Sequence, residues 1–346
     1  MQIDMHFHAT HAIALLAGLS KEDALIVATA AEFVDNATEN NSEETANREI
    51  LFAISTAHHL AESVLNSWTH KQKHRLVWVP FHFLPGGEGN TLEEKLLCVK
   101  NSDIAKEMFE HHIKQSDKEF YYHLLGIASH VYLDTFSHYG FSGIASKLNE
   151  IAGKSIKFEV KDEKIKNHIV EKAMKFAAKY GNEALEFGSK GLGHGAVATY
   201  PDRPYLTWEF EYEHSRGKNN RTKFGPRPNP ETFFEGLKEL HHYLSQATSN
   251  TSGTRSFSQV EDEIRGILAT EGKKQERCDL WIKFIKKHFN EESIYPGDDW
   301  NKEKDEFENS DPSKGVGECY RFHQAAAIHR WYVMKDLLPK HKIYCL

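Results

Sequence analysis

Residues Tyr122 to Gly143 read YHLLGIASHVYLDTFSHYGFSG. This stretch limits the possible folds more than any other. On a helix turning about 100° per residue, His123, His130, Asp134 and His138 fall within a face roughly 80° wide. Leu124, Leu125, Ile127, Val131 and Leu133 point elsewhere and can pack a core. The stretch therefore predicts an apolar helix carrying one row of metal-capable side chains. His130 and Asp134 are one turn apart, as are Asp134 and His138, and side chains at that spacing meet. A single His–Asp pair is an ordinary polar contact. Three such groups in register on an apolar helix need partners, and a metal satisfies several at once.

Histidine is also the compositional outlier, with 22 in 346 residues. The net charge of −7 and pI near 6.3 do not resemble a basic nucleic-acid footprint, so stable binding of duplex nucleic acid is not expected. Cys98, Cys278, Cys319 and Cys345 are far apart, without a CxxC spacing. They predict free thiols rather than a zinc ribbon or a disulfide framework. The start, MQIDMHFHATHAIALLAGL, lacks the basic region of a signal peptide. No apolar run reaches the ~18 residues of a membrane span. The expected location is cytoplasmic, with a specialised export route left open.

Apolar spacing predicts helices over 10–17, 21–34, 43–66, 91–115, 118–139, 162–187, 231–247, 256–289 and 316–337. Ser20 is a helix cap with Asp23 three residues on, and the helix it starts delivers Asp35 at its C-terminal end. Arg75 to Leu84 has strand-like residues with Pro80 inside and Pro85 beyond, and reads as an extended segment presenting His82. Residues 190–230 hold five of the ten prolines and are rich in aromatics. They predict an ordered loop over a site, possessing at most a short strand or hairpin. Residues 294–314 predict an acidic surface loop. The expected fold class is all-α, a single α-helical domain over 1–346.

The metal-capable residues in chain order are His6, His8, His11, Asp35, His82, His130, Asp134, His138, His194 and Asp202. Nitrogen and carboxylate donors without thiolate suit Zn²⁺, with Mn²⁺ or Fe as alternatives. They outnumber the ligands of one tetrahedral ion, so a cluster of two or three is plausible, a device used for phosphoester hydrolysis. Here FHFLPGG, LLGIASHVYLDTFSH and HATHAIALLAG, with Asp35 in order between them, resemble the zinc-dependent phospholipase C and S1/P1 nuclease superfamily. The chain is also similar to an uncharacterised bacterial family within that group, through its MxxDxH start and its PFHFLPG and GHG…YPDRP stretches.

The resemblance implies a multi-helix bundle with long irregular loops around a multinuclear zinc cluster. Asp35, His82, His130 and Asp134 would hold one ion. Asp134 would bridge to a second, held by an early His (His6, His8 or His11) and the Met1 main chain. His138 would open a third site, closed by His194 and Asp202. Glu209, Glu211, Glu213 and His241-His242 are alternatives at that third site, and His58 and His59 are alternatives to His82. Asp35 is the implied catalytic residue, orienting or deprotonating the attacking water, which is a hydroxide bridging two metals. Arg203 and Tyr205 would bind substrate, beside Tyr200 and Trp208.

The expected activity is phosphodiester or phosphomonoester hydrolysis, on a nucleotide, lipid headgroup or other small phosphoester. The alternative from another class is a noncatalytic, metal-stabilised helical domain acting as an interaction or toxin module. An amide hydrolase is disfavoured by the absence of HExxH. Serine catalysis is disfavoured by the absence of GxSxG. His111-His112 read as a surface pair, and His323 and His329 as packing or surface residues.

Overall fold

The computed structural model describes residues 1–39, 42–44, 50–57, 71–144, 146–186, 197–216, 221–248, 253–306 and 317–344. The chain opens with a π-helical turn, Asp4–Ala9, that runs directly into α1 (Thr10–Leu16). Gly18, at φ +92°, ends this first helix, because glycine enters the left-handed region without a Cβ clash. Next comes α2 (Lys21–Asn36), whose Ser20 cap accepts the Asp23 N–H at 3.0 Å. There follow β1 (Ser42–Glu44), β2 (Ile50–Phe52), α3 (Lys71–Phe81), α4 (Leu92–Lys95), α5 (Asp103–Ile113) and α6 (Tyr121–His138). The second half holds β3 (Lys157–Glu159), α7 (Glu163–Glu186), β4 (Thr207–Arg216), β5 (Arg221–Pro228), α8 (Asn229–Ala247), α9 (Glu261–Ala269), α10 (Lys274–Phe289), α11 (Gly297–Asp305) and α12 (Glu318–Tyr332).

The chain is mostly helical, and α6 is its centre. All but one of its residues are buried, and it packs against α2, α5, α8 and α12. The approach to α2 is closest at Gly126. A Cβ there would lie 2.4 Å from the Val27 carbonyl oxygen and 2.6 Å from the Ala30 Cβ. Gly126→Ala is therefore expected to destabilise the fold by about 1–3 kcal/mol through overpacking, against a gain in helix propensity of about 1 kcal/mol. Urea unfolding measures this, and a more stable variant would contradict so tight a contact.

The all-α expectation needs correcting. A three-stranded antiparallel sheet forms in the order β3–β4–β5, with β4 and β5 in the stretch expected as a loop with a short strand or hairpin at most. Phe158 pairs with Trp208, and Phe210 with Phe224. Alternate residues of β4 (Trp208, Phe210, Tyr212) are buried in a second apolar cluster with Phe141, Tyr200 and Leu206, the period-two pattern of a half-covered strand. Arg227 of β5, almost fully buried, donates to the Ser137 and Tyr139 carbonyls at 2.6 and 2.8 Å. It thereby satisfies the C-terminal carbonyls of α6 and ties the sheet to the end that carries His138.

Other boundaries differ for identifiable reasons. Arg75 to Leu84 is not extended but mainly the end of α3. Val77, Val79 and Phe81 are buried there, so packing overrides strand propensity. The helix expected over 43–66 is, in its described part, the β1–β2 hairpin followed by an irregular segment. The one expected over 91–115 breaks at Cys98–Ser102, where Cys98 N–H donates to the Phe141 carbonyl and Asn101 adopts φ +52°. The one over 256–289 breaks between α9 and α10. There Glu271 accepts the Lys161 and Asp162 N–H groups, and Glu276 accepts that of Lys273. The acidic 294–314 loop contains α11, which puts Asp298 and Asp299 at its favourable N-terminus and buries Trp300 against Phe33. Cys98, Cys278 and Cys319 are free, buried thiols. Among the described residues no helix is long and apolar enough to cross a membrane.

Candidate metal centre

Four elements deliver side chains to one face of α6. Asp134 lies at the middle of the group and is fully buried. Its Oδ1 faces the Met1 amine at 2.8 Å and His6 Nε2 at 3.2 Å. Its Oδ2 faces His130 Nε2 at 3.2 Å and both His82 Nδ1 and His138 Nδ1 at 3.4 Å. The two carboxylate oxygens thus address two different sets of donors. Asp35, at the end of α2, comes within 3.7 Å of His82 Nδ1 and 4.0 Å of His130 Nε2. Its side chain is 34% exposed, so the cluster is buried on the Asp134 side and open on the Asp35 side. Asp202, from the segment before β4, lies 3.5 Å from His138 Nε2 and 3.6 Å from the Met1 amine.

Backbone contacts set the imidazole tautomers. His130 Nδ1–H donates to the Ala31 carbonyl at 2.7 Å, and His82 Nε2–H to the Thr56 carbonyl at 2.8 Å. Each ring therefore turns a lone pair inward, and His130 Nε2 and His82 Nδ1 face each other at 3.2 Å. Two lone pairs at that distance repel unless a cation lies between them. Donating the far nitrogen to a carbonyl is also how metal-ligating histidines are oriented. Neither ring nitrogen of His6, nor Asp134 Oδ2, has a hydrogen-bond partner. Ligand atoms of His82, His130 and Asp134, and separately of His6, Asp35 and His130, lie within 4.8 Å of one another. Buried, unpartnered donors of this composition fit a divalent transition metal.

Burial and neighbouring charges act against each other on the ionisable groups of this cluster. Burial pushes the His6 imidazole down to about 3, with His130 and the Met1 amine adding to it. Burial opposes ionisation of Asp134, yet His138, the Met1 amine, His130 and His6 together hold it well below the usual carboxylate range. Burial likewise lowers His82, but the neighbouring Asp134 and Asp35 carboxylates outweigh this and raise it. Any metal bound there competes with protons for these nitrogens.

The other described sequence candidates have partners of their own. His8 and His11 do not join the cluster: both Nδ1 atoms reach Ser293 Oγ, at 2.9 and 3.1 Å. They and His6 share one winding helix, and only His6 faces Asp134. Arg203 donates to the Tyr205 hydroxyl at 3.2 Å and to Thr199 Oγ1 at 3.1 Å, and both Arg203 and Tyr205 are buried. His194, His58 and His59 lie outside the described residues. Glu209 pairs with Lys157 and Lys223, His241 with the Arg255 carbonyl and His242 with Gln246. His123, on the same face of α6, pairs with Glu318 at 2.9 Å.

A model of the Family of unknown function (DUF6765) matches residues 1–337. The chain belongs to that family. No curated protein and no solved structure matches it.

Two features escaped sequence reasoning. His111-His112 is not a surface pair, because His112 is fully buried and its Nε2 meets His329 Nδ1 at 2.9 Å. His329 Nε2–H then donates to the Pro80 carbonyl at 2.8 Å. Glu32 is 7% exposed with Oε2 unpartnered. Burial, with Asp35 adding to it, pushes its carboxyl well above the usual range. It stands one turn before Asp35 in an alanine-rich helix, and that spacing was the available signal. Arg277 holds the π-helical turn in place by a buried two-pronged pair with Asp4, at 2.6 and 3.2 Å, the fork geometry arginine favours.

Proposed function

We propose that the chain is a metal-dependent phosphoester hydrolase, in line with its resemblance to the phospholipase C and S1/P1 nuclease superfamily. The observation that carries the reading is the pair of inward lone pairs on His82 and His130, set 3.2 Å apart beside Asp134. His82, His130, Asp35 and Asp134 would hold one ion. His6, with Asp134 Oδ1 and the Met1 nitrogen, would hold a second. His138 and Asp202 would contribute to a third. Zn²⁺ suits the donors best, with Mn²⁺ or Fe next. Bound there, such ions supply Lewis-acid polarisation of a phosphoryl oxygen and acidify a bound water.

The protein's own groups do the rest. Asp35, on the open side, orients the attacking water and accepts its proton. Asp134 keeps both donor sets in place from beneath. The acidic net charge of −7 favours a small phosphodiester or phosphomonoester over a long polyanion.

Chelator-treated protein reconstituted with Zn²⁺ or Mn²⁺ is expected to hydrolyse bis(4-nitrophenyl) phosphate or 4-nitrophenyl phosphate. Assayed at saturating metal, Asp35→Asn should lower kcat by at least about 100-fold, the range of a positioned general base. Full metal loading with no hydrolysis of any phosphoester would instead support the noncatalytic, metal-stabilised reading.

A further inference from the structure

Three histidines outside the metal cluster form a hydrogen-bonded row that the hydrolase reading does not use. His329, on α12, donates its Nε2–H to the Pro80 carbonyl at 2.8 Å. A carbonyl only accepts, so in the neutral ring His329 Nδ1 carries the lone pair. His112 Nε2 meets that lone pair at 2.9 Å and must donate to it. His112 Nδ1 is then an acceptor, and His111 Nδ1–H donates to it at 3.1 Å. Both inner rings are fully buried, and burial pushes His329 down to about 4. His111 stacks on Tyr332 with ring centroids 3.5 Å apart. The donors along the row therefore all point one way, from α5 through α12 to α3.

The row ends on the last turn of α3, where a helix leaves its carbonyls without intrahelical partners. The Trp78 carbonyl takes both the His82 and Phe83 N–H groups, at 3.1 and 2.8 Å, and the Pro80 carbonyl is met by His329. Between Pro80 and His82, the buried Phe81 ring packs on the His329 ring with centroids 5.1 Å apart. His329 thus holds this turn by a carbonyl and by the side chain next to it. His82, two residues beyond Pro80, serves the cluster twice. Its ring turns Nδ1 toward Asp134 and His130, and its carbonyl accepts the His138 Nδ1–H at 2.8 Å. A shift of this one turn would displace the His82 ring and reorient that of His138.

We infer that His329, held in one tautomer by His112, is a positioning residue for the metal cluster: it fixes the last turn of α3 and through it His82 and His138. The inference rests on the metal-dependent reading of that cluster. Metal-ligating histidines are oriented by hydrogen bonds beyond the ligands themselves. Here the hold lies one step further out, on the backbone that carries His82 and offers His138 its carbonyl. The His112 N–H selects the His329 tautomer protonated at Nε2, because the other tautomer would set two N–H groups against each other and leave the Pro80 carbonyl unpaired. Burying two imidazoles costs desolvation that an apolar pair of similar volume avoids. What the imidazoles add is a fixed donor on Pro80.

The test is the affinity of the full-length chain for Zn²⁺ and Co²⁺, measured by competition with a chelator. The visible absorption of the Co²⁺ form reports ligand geometry, and urea unfolding is followed alongside. His329→Leu removes the donor and is expected to weaken binding about 10–100-fold, the effect of losing an outer partner of a metal site, and to change the Co²⁺ spectrum. His329→Gln offers an N–H to Pro80 and an oxygen to His112. It should recover the wild-type spectrum and most of the lost affinity. If His329→Leu does not fold, His112→Leu decides: it leaves the Pro80 bond possible but frees the tautomer, and should weaken binding in the same direction. Wild-type affinity in folded His329→Leu or His112→Leu would overturn the positioning role and leave the metal reading standing. So would His329→Gln binding no better than His329→Leu. Wild-type protein that binds neither ion would overturn both.

Discussion

Asp134→Ala is expected to remove the metal and much of the fold's stability in one step. Asp134 is the residue that both donor sets share, with Oδ1 toward His6 and the Met1 amine and Oδ2 toward His82, His130 and His138. In the proposed cluster, losing one carboxylate therefore weakens two sets of ligands. Removing an outer partner of a metal site typically lowers affinity about 10–100-fold. A shared inner carboxylate should cost more than about 100-fold. The metal-free fold suffers as well. The buried Met1 amine, pushed up to about 11 despite burial because Asp134 and Asp202 surround it, would keep only Asp202, at 3.6 Å. Breaking a buried pair from one side costs about 3–5 kcal/mol. Asp134→Asn keeps the shape and should lose metal with a smaller loss of stability. Metal titration and urea unfolding of both variants separate the two effects. Asp134→Asn that binds metal as tightly as wild type would contradict the shared-ligand geometry.

The second large effect is acid sensitivity of the metal-free chain. Burial holds His8, His11, His323 and His329 at about 4, and His6 at about 3, against 6.5 for a free imidazole. Burial, with His329 beside it, lowers His112 as well. Each is neutral in the folded state and takes up a proton on unfolding once the pH drops below 6.5. Folded pKa values below unfolded ones mean that stability is complete above that pH and is lost as pH falls toward 4. Each such group contributes a slope of about 1.4 kcal/mol per pH unit. His82 runs the other way, since Asp134 and Asp35 raise it against burial, but it is one group against six. Thermal melts of chelator-treated protein from pH 7.5 down to 4.5 should show a steep decline, and a flat profile would contradict the buried, neutral histidines. Metal loading should steepen the same decline, because protons compete for His82 and His130.

How much of this was legible in the sequence depends on the reach of each contact. The HxxxDxxxH row on α6 was readable because a helix repeats every 3.6 residues, and the spacing alone puts His130, Asp134 and His138 together. Ser20 and Gly18 marked helix ends through local chemistry. The choice among His6, His8 and His11 was not local. Ser293, more than 280 positions away, takes His8 and His11. Asp202 could be named but not positioned, because the sheet and Arg227 bring its segment against the end of α6. The strand-like residues of α3 misled because its burial against α6 and α12 outweighs propensity. The Pro80 carbonyl is met there by His329, from a helix some 250 residues on. Tyr295 and Glu32 carry no motif. The contact between Asn36 and Tyr295 spans 259 positions.

Whether these side chains hold a cluster of divalent metals is decided by elemental analysis of the full-length chain, purified without chelator and dialysed against metal-free buffer. At least two zinc, manganese or iron ions per chain are predicted, falling below one in Asp134→Ala. Less than one tightly bound transition metal per wild-type chain, in folded protein, would contradict it.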